Sequence, residues 1–255
     1  MLLNAQLVKP SGVKITKEQD LRNAHSISGK IGEPMDRLLL KSIKRDATMQ
    51  TFIDLSLPMT DLMPVYPGDE PPRLLEVNNL ARDGFNNFRL SVNMHTGTHI
   101  DGPMHVTKSK RFLNEFPLEQ CIGIGCILNA TGKNNIPLTT EYELLVQPQS
   151  IVLLYTGMSR LFGRKKYFHD YPIVSKELAQ LFVKRRVKMV CLDSPSPDRH
   201  PFEIHKLLLG NNVLIAENLI NLDKLLSINT FEIIALPLKI QADSSPARII
   251  ARTLV

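Results

Sequence analysis

The sequence predicts one domain of mixed strands and helices, α/β or α+β in class, and three observations predict it. Short apolar runs such as "GIGCILNAT" and "SIVLLYTG" are bounded by turn residues and have the lengths of buried strands. "KELAQLFVKRRV" instead spaces Leu178, Leu181 and Phe182 at helical intervals. Clusters of proline and glycine, "PVYPGDEPP" the densest, punctuate the chain, and neither repeats nor low-complexity tracts occur.

Taken in order, the elements begin with a basic arm. Residues 1–49 hold nine Lys/Arg against five Asp/Glu, which leaves only +2 of the formal +6 for the other 206 residues. Thr16-Lys17-Glu18-Gln19 has the spacing of a capping box. Pro34 fits the first turn of a second helix, "EPMDRLLLKSIKR", with Leu38, Leu39 and Ile43 on one side. The arm is therefore expected to be partly helical and to precede a domain spanning 50–255. That domain opens with the β-like run "MQTFIDLSLPM", and "FRLSVNMH" then alternates directly into a histidine-rich stretch. Ser175 caps the helix already described. "KMVCLDSPS" reads as a buried strand ending in a turn, "NLINLDKLL" as a short helix, and "FEIIALPLKI" as a strand.

Composition removes several classes of function. Hydrophobic content of 43% and charged content of 22% are ordinary for a soluble globular protein. No apolar run approaches the roughly 18 to 20 residues that cross a bilayer, and no secretory signal pattern opens the chain. Three cysteines without a CxxC pair read as reduced thiols in a cytoplasmic protein. No aromatics interleave the basic residues of the arm, so a stacking platform for nucleic acid is not indicated. The chain lacks the G-x-S-x-G elbow of serine hydrolases, and "GIGCIL" lacks the third glycine of a dinucleotide fingerprint. The expected partner is a small-molecule substrate, with neither nucleic acid nor membrane.

"HTGTHIDGPMH", residues 95–105, concentrates chemistry instead. Continued as a strand, it would point His95, Gly97, His99 and Asp101 to one face, with Gly97 leaving open space between two imidazoles. Pro103 would then bend the chain and return His105 to the same place. Imidazole nitrogens and a carboxylate without bulk between them make a metal half-site suited to Zn²⁺, with Mn²⁺ or Fe²⁺ as alternatives. Downstream, "HPFEIHKLLLGNNVLIAENL" offers His200, Glu203, His205 and Glu217. Glu217 follows the apolar run "NVLIA", where a carboxylate is costly without a cation, so it is preferred to Glu203.

The stretch resembles the HxGTHxDxPxH signature of the metal-dependent cyclase family, which includes bacterial kynurenine formamidases and isatin hydrolases. "DLSLPMTDLMPVYPGD", "DSPS" followed by "HKLLLGNNVLIAENL", and "LPLKIQADSSPARIIA" are similar to that family's other motifs, in the same order, over about residues 50–255. The resemblance implies a β/β/α domain, a twisted mixed sheet closing toward a barrel with helices outside, and a homodimer or homotetramer. It implies that His95 and His99 hold one metal, that Asp101 bridges to a second, that His205 binds the second, and that Glu217 touches both. One or two Zn²⁺ ions, or Mn²⁺, would fill these positions. His105 would donate and accept protons.

The implied reaction is hydrolysis of a C–N amide bond in an aryl formamide such as N-formylkynurenine, or in a cyclic amide. A divalent ion lowers the pKa of water from about 16 toward 7, making it a nucleophile at neutral pH. Tyr66 stands where formamidases of this family often place a tryptophan, which this chain lacks altogether, and is the candidate substrate contact. Ser245 stands where a glycine is common. The alternatives are another small carbonyl substrate, as for an isatin hydrolase, and a non-catalytic metal-stabilised binding protein.

Overall fold

The computed structural model describes residues 50–254, and the basic arm with its two expected helices lies outside them. In chain order the strands are β1 (Phe52–Asp54), β2 (Arg73–Asn78), β3 (Asn87–Ser91), β4 (His99–Asp101), β5 (Ile122–Asn129), β6 (Asn135–Ile136), β7 (Ile151–Tyr155), β8 (Ile173–Val174), β9 (Met189–Leu192), β10 (Leu214–Glu217), β11 (Phe231–Pro237) and β12 (Ser244–Thr253). The helices are α1 (Leu80–Asp83), α2 (Leu118–Cys121), α3 (Thr140–Leu145), α4 (Lys165–His169), α5 (Lys176–Lys184) and α6 (Glu203–Gly210). The stretch expected as a short helix near residue 222 is a single 3-10 turn, Leu222–Leu225.

Seven strands close a ring in the order β12, β11, β5, β7, β9, β10, β4, with β4 pairing back onto β12. From β5 to β10 the pairings are parallel, and those of β10 with β4, β4 with β12, β12 with β11, and β11 with β5 are antiparallel. The parallel staves are covered on both faces, which is why β7 and β9 are uninterrupted apolar runs, "IVLLY" and "MVCL", with every residue buried. The mixed, barrel-like sheet implied by the resemblance is the architecture observed.

Strand parity sorts the side chains into two layers. Ile151, Leu153, Met189, Cys191, Leu214 and Ala216 fill the inside of the barrel. Val152, Leu154, Val190, Leu192 and Ile215 face outward under the helices, against Leu178, Phe182 and Leu208. Helix α5 forms as its sequence dictates. The Ser175 hydroxyl accepts from the Leu178 N–H at 3.2 Å, and the apolar stripe of Leu178, Leu181 and Phe182 is buried. Each such side chain contributes about 1.5–3 kcal/mol through burial.

Gly125 of β5 lies hard against the Phe231 ring. A Cβ at that position would lie 2.0 Å from Phe231 Cε2. Gly125→Ala is therefore expected to destabilise the fold by about 1–3 kcal/mol through overpacking, read as a lower denaturant midpoint. An unchanged midpoint would show that the Phe231 ring is free to move. Among the described residues no helix is long and apolar enough to cross a membrane, and all three cysteines are free thiols.

Candidate active site

The ring-closing strand brings the site together. Ile100 packs inside the barrel, so its neighbours His99 and Asp101 point outward. In the β4–β10 ladder His99 lies opposite Glu217, and Asp101 lies opposite Ile215. Glu217 has the outward parity of Ile215, so it joins the two β4 residues on one face. Helix α6 packs over that face and presents His205. Asp198 holds it there: one carboxylate oxygen accepts from the N–H of Ile204 at 2.6 Å and caps the helix, and the other accepts from His205 Nδ1. His205 Nε2 is left 3.3 Å from Glu217 Oε1 and 3.9 Å from Asp101 Oδ2.

His95 arrives differently from the strand expectation. The segment from His95 to Thr98 is a turn, and β4 begins only at His99. Gly97 sits at φ +63°, in the left-handed region glycine adopts most readily. A Cβ there would meet the Met63 methyl at 3.2 Å, so Gly97 makes room for the methionine behind the turn, not for space between imidazoles. The turn still delivers His95 to the cluster, with Nδ1 2.8 Å from Asp101 Oδ1. A short 3-10 turn, Pro103–His105, brings the His105 ring to 4.1 Å from that of His95. Thus His95, His99, Asp101, His105, His205 and Glu217 converge. Glu203 lies on the surface beside Lys206, and His200 is exposed.

The cluster has the signature of an unsatisfied cation site. His99 Nε2, both oxygens of Asp101 and Glu217 Oε1 are buried with no hydrogen-bond partner of acceptable geometry. Nearly all buried polar groups find partners, and two buried carboxylates need positive charge between them. His99, Asp101 and Glu217 can each place one donor atom within 4.8 Å of the others, as can His95, Asp101 and His105. Imidazole nitrogen with carboxylate oxygen is the donor set of a borderline divalent metal, so these residues fit one.

Electrostatics separate the histidines. Burial disfavours charge on His95 and on His205, but the carboxylates beside them prevail and raise each pKa to about 10 in the absence of metal. For His105 burial acts first, the neighbouring His95 and His205 reinforce it, and the pKa falls below the usual imidazole value. Asp101 is held ionised against burial by His99 and His95, whereas burial raises Glu217.

Two carboxylates with clear roles escaped the sequence reading. Asp198 lies five residues before the helix it serves, whose N-cap position is held by Phe202, so no capping pattern announces it. Asp243 accepts from His95 Nε2 at 2.8 Å and lies 3.5 Å from His105 Nδ1, and no local pattern announces a contact 148 residues away. Ser244, His95 and Asp101 also line up at 2.9 and 2.8 Å in the manner of a Ser–His–Asp relay. The Ser244 hydroxyl is fully buried, however, and shares His95 Nε2 with Asp243, so it faces no substrate. Ser245, which stands where a glycine is common, accepts from the Leu238 N–H at 3.0 Å and tethers this loop.

Above the cluster opens a cleft of about 250 Å³. Its floor is His95, His99, His105, His205 and Glu217, and its walls include Tyr66, Phe162, Phe168 and Phe202. Tyr66 meets Phe168 edge-on at 6.2 Å, and its hydroxyl lies 3.4 Å from that of Tyr171. The turn tyrosine is thus both packed and part of the wall.

Known proteins share this chain's sequence and fold. The family described as "Putative cyclase" matches residues 53–199. An uncharacterised protein of Methanocaldococcus jannaschii is 34% identical over 187 residues, 73% of this chain and 91% of that protein. Kynurenine formamidase of Bacillus cytotoxicus is 28% identical over 209 residues, 80% of this chain and 98% of that enzyme. Isatin hydrolase A from Labrenzia aggregata superposes with a TM-score of 0.71 at 22% identity, covering 86% of this chain and 99% of that one. A protein from Bacillus stearothermophilus described as a predicted metal-dependent hydrolase gives 0.66 at 23% identity, covering 80% and 99%. At these identities the two structures show a shared fold. With the family match spanning more than half its length, the chain belongs to the cyclase family whose motifs its sequence resembles.

Proposed function

We propose that this protein is a metal-dependent hydrolase of C–N amide bonds, acting on an aryl formamide such as N-formylkynurenine or on a cyclic amide such as isatin. The observation that carries this reading is the set of buried, partnerless donor atoms on His99 and Glu217, which line the floor of an open cleft, and on Asp101 beside them. A sealed structural site would have no such opening. His95, His99, Asp101, His205 and Glu217 would hold one or two ions, Zn²⁺ by donor chemistry, with Mn²⁺ as the alternative. When bound, a divalent ion supplies a lowered pKa for water and polarisation of a carbonyl.

The chain's own residues do the rest. Tyr66, Phe162 and Phe168 offer edges and faces to a planar aryl group, orient its carbonyl over the floor and exclude bulk water. His105 keeps its Nδ1 toward Asp243, which leaves Nε2 to take a proton from water and pass it to the leaving nitrogen. One C–O bond forms, the C–N bond breaks, and the proton ends on the amine.

Protein purified without chelator is expected to carry a divalent metal and to turn over at least one of N-formylkynurenine, isatin and formanilide. Bound metal without turnover of any of them would favour the metal-stabilised binding protein instead. A homodimer or homotetramer belongs to the same proposal. Leu80, Phe85, Phe88 and Leu90 leave the β2–β3 hairpin with an exposed apolar surface that a second copy can cover. Sedimentation velocity is expected to show no monomer at micromolar concentration, and a monomer would remove this part.

A further inference from the structure

We propose that Asn218, held by Tyr167, is the positioning residue that aims the ring of His99 into the metal cluster. The inference rests on the metal-dependent reading above and adds two residues to it. Asn218 directly follows Glu217 and is buried, with φ at +60°, a backbone conformation that asparagine tolerates better than most residues. All four of its polar groups are engaged. Its N–H donates to Ser194 O at 3.0 Å, and its carbonyl accepts from the Thr98 hydroxyl at 2.7 Å. Its Oδ1 accepts from the Tyr167 hydroxyl at 2.7 Å, and its Nδ2 donates to Gly97 O at 3.0 Å.

The last two bonds fix an orientation. A carbonyl only accepts and Nδ2 only donates, so Gly97 O selects which way the amide faces, and the hydroxyl of the fully buried Tyr167 holds it there by donating to Oδ1. The same Gly97 carbonyl lies 2.9 Å from His99 Nδ1. A carbonyl accepts only, so Nδ1 carries a proton and Nε2 is the atom left 3.4 Å from both Asp101 Oδ1 and Glu217 Oε2. The turn from His95 to Thr98 lacks a strand ladder of its own. It is held by this amide and by the Thr98 hydroxyl, which also accepts from the Leu57 N–H at 2.8 Å. Partners of this kind around a ligating histidine typically change metal affinity about 10- to 100-fold when removed. The plainer account, an asparagine that merely suits a left-handed turn, would lower fold stability and leave the geometry of metal binding alone.

Metal-stripped full-length protein titrated with Co²⁺ separates the two accounts, because the visible spectrum of the ion reports the arrangement of its ligands. Asn218→Gly removes the amide without straining the backbone. Tyr167→Phe removes only the hydroxyl and keeps the ring packed edge-on to Phe162 and Phe168 at 5.3 and 4.9 Å. Asn218→Gly is expected to weaken Co²⁺ binding about tenfold or more and to alter the spectrum. Tyr167→Phe is expected to shift both in the same direction, and to add nothing in the Asn218→Gly background, since the hydroxyl acts through the amide. Wild-type affinity in both variants, or weaker binding with a wild-type spectrum, overturns the proposal. Should Asn218→Gly not fold, Tyr167→Phe decides by the same criteria. Wild-type protein that binds no Co²⁺ would instead overturn the metal-dependent reading itself.

Discussion

Asp101→Asn protein is expected to leave a chelator-free purification without stoichiometric metal and without turnover. Asp101 stands between the two halves of the cluster: Oδ1 lies 2.8 Å from His95 Nδ1 and 3.4 Å from His99 Nε2, and Oδ2 lies 3.9 Å from His205 Nε2. Both oxygens are buried without a hydrogen bond of acceptable geometry, which leaves them available to a cation. Asparagine keeps the shape and removes the charge, which confines the effect to the site. The loss of kcat/KM is expected to exceed the about 10²- to 10⁴-fold range of a single proton-transfer group. Elemental analysis beside steady-state kinetics makes the measurement. Full metal content in the variant would remove Asp101 from its central place.

His105→Ala should give the opposite combination, with metal retained and kcat lowered about 10²- to 10⁴-fold. The reasoning is electrostatic and geometric together. Burial and two neighbouring imidazoles depress the basicity of His105, whereas His95 and His205 are each raised to about 10. With His95, His99 and His205 assigned to the metal, His105 is the imidazole of the cluster left with a lone pair for proton transfer. It also lies on the cleft floor, within 3.5 Å of Asp243, which can hold its ring. His95, Asp101 and His105 are close enough to share an ion, so the alternative role is specific. Metal lost from His105→Ala would make it a ligand and leave the proton transfer to another group.

The legible parts of this site were those written in short-range chemistry. A carboxylate placed after an apolar run carries its own anomaly, so Glu217 stood apart from Glu203, and the cross-strand pair it makes with His99 agrees with that preference. His99 and Asp101 were readable because strand parity is set by the backbone alone. His95 was placed in the right cluster by a wrong local argument. Gly97 breaks the strand with its left-handed backbone, and the room it leaves is taken by Met63, 34 positions earlier in the chain and invisible to periodicity. Asp243 could not be found in the sequence for a related reason: its significance exists only once β12 has come alongside β4. In the fold, buried parallel strands announced themselves as unbroken apolar runs, while closure of the ring left no local trace.

That closure ties architecture to chemistry. The stave completing the hoop, three residues long, is gripped by one neighbour more than a hundred positions downstream and by another further still. His99 and Glu217 face each other only where the first of those pairings is made, so the clasp that shuts the hoop and the bed of the cleft are one piece of structure.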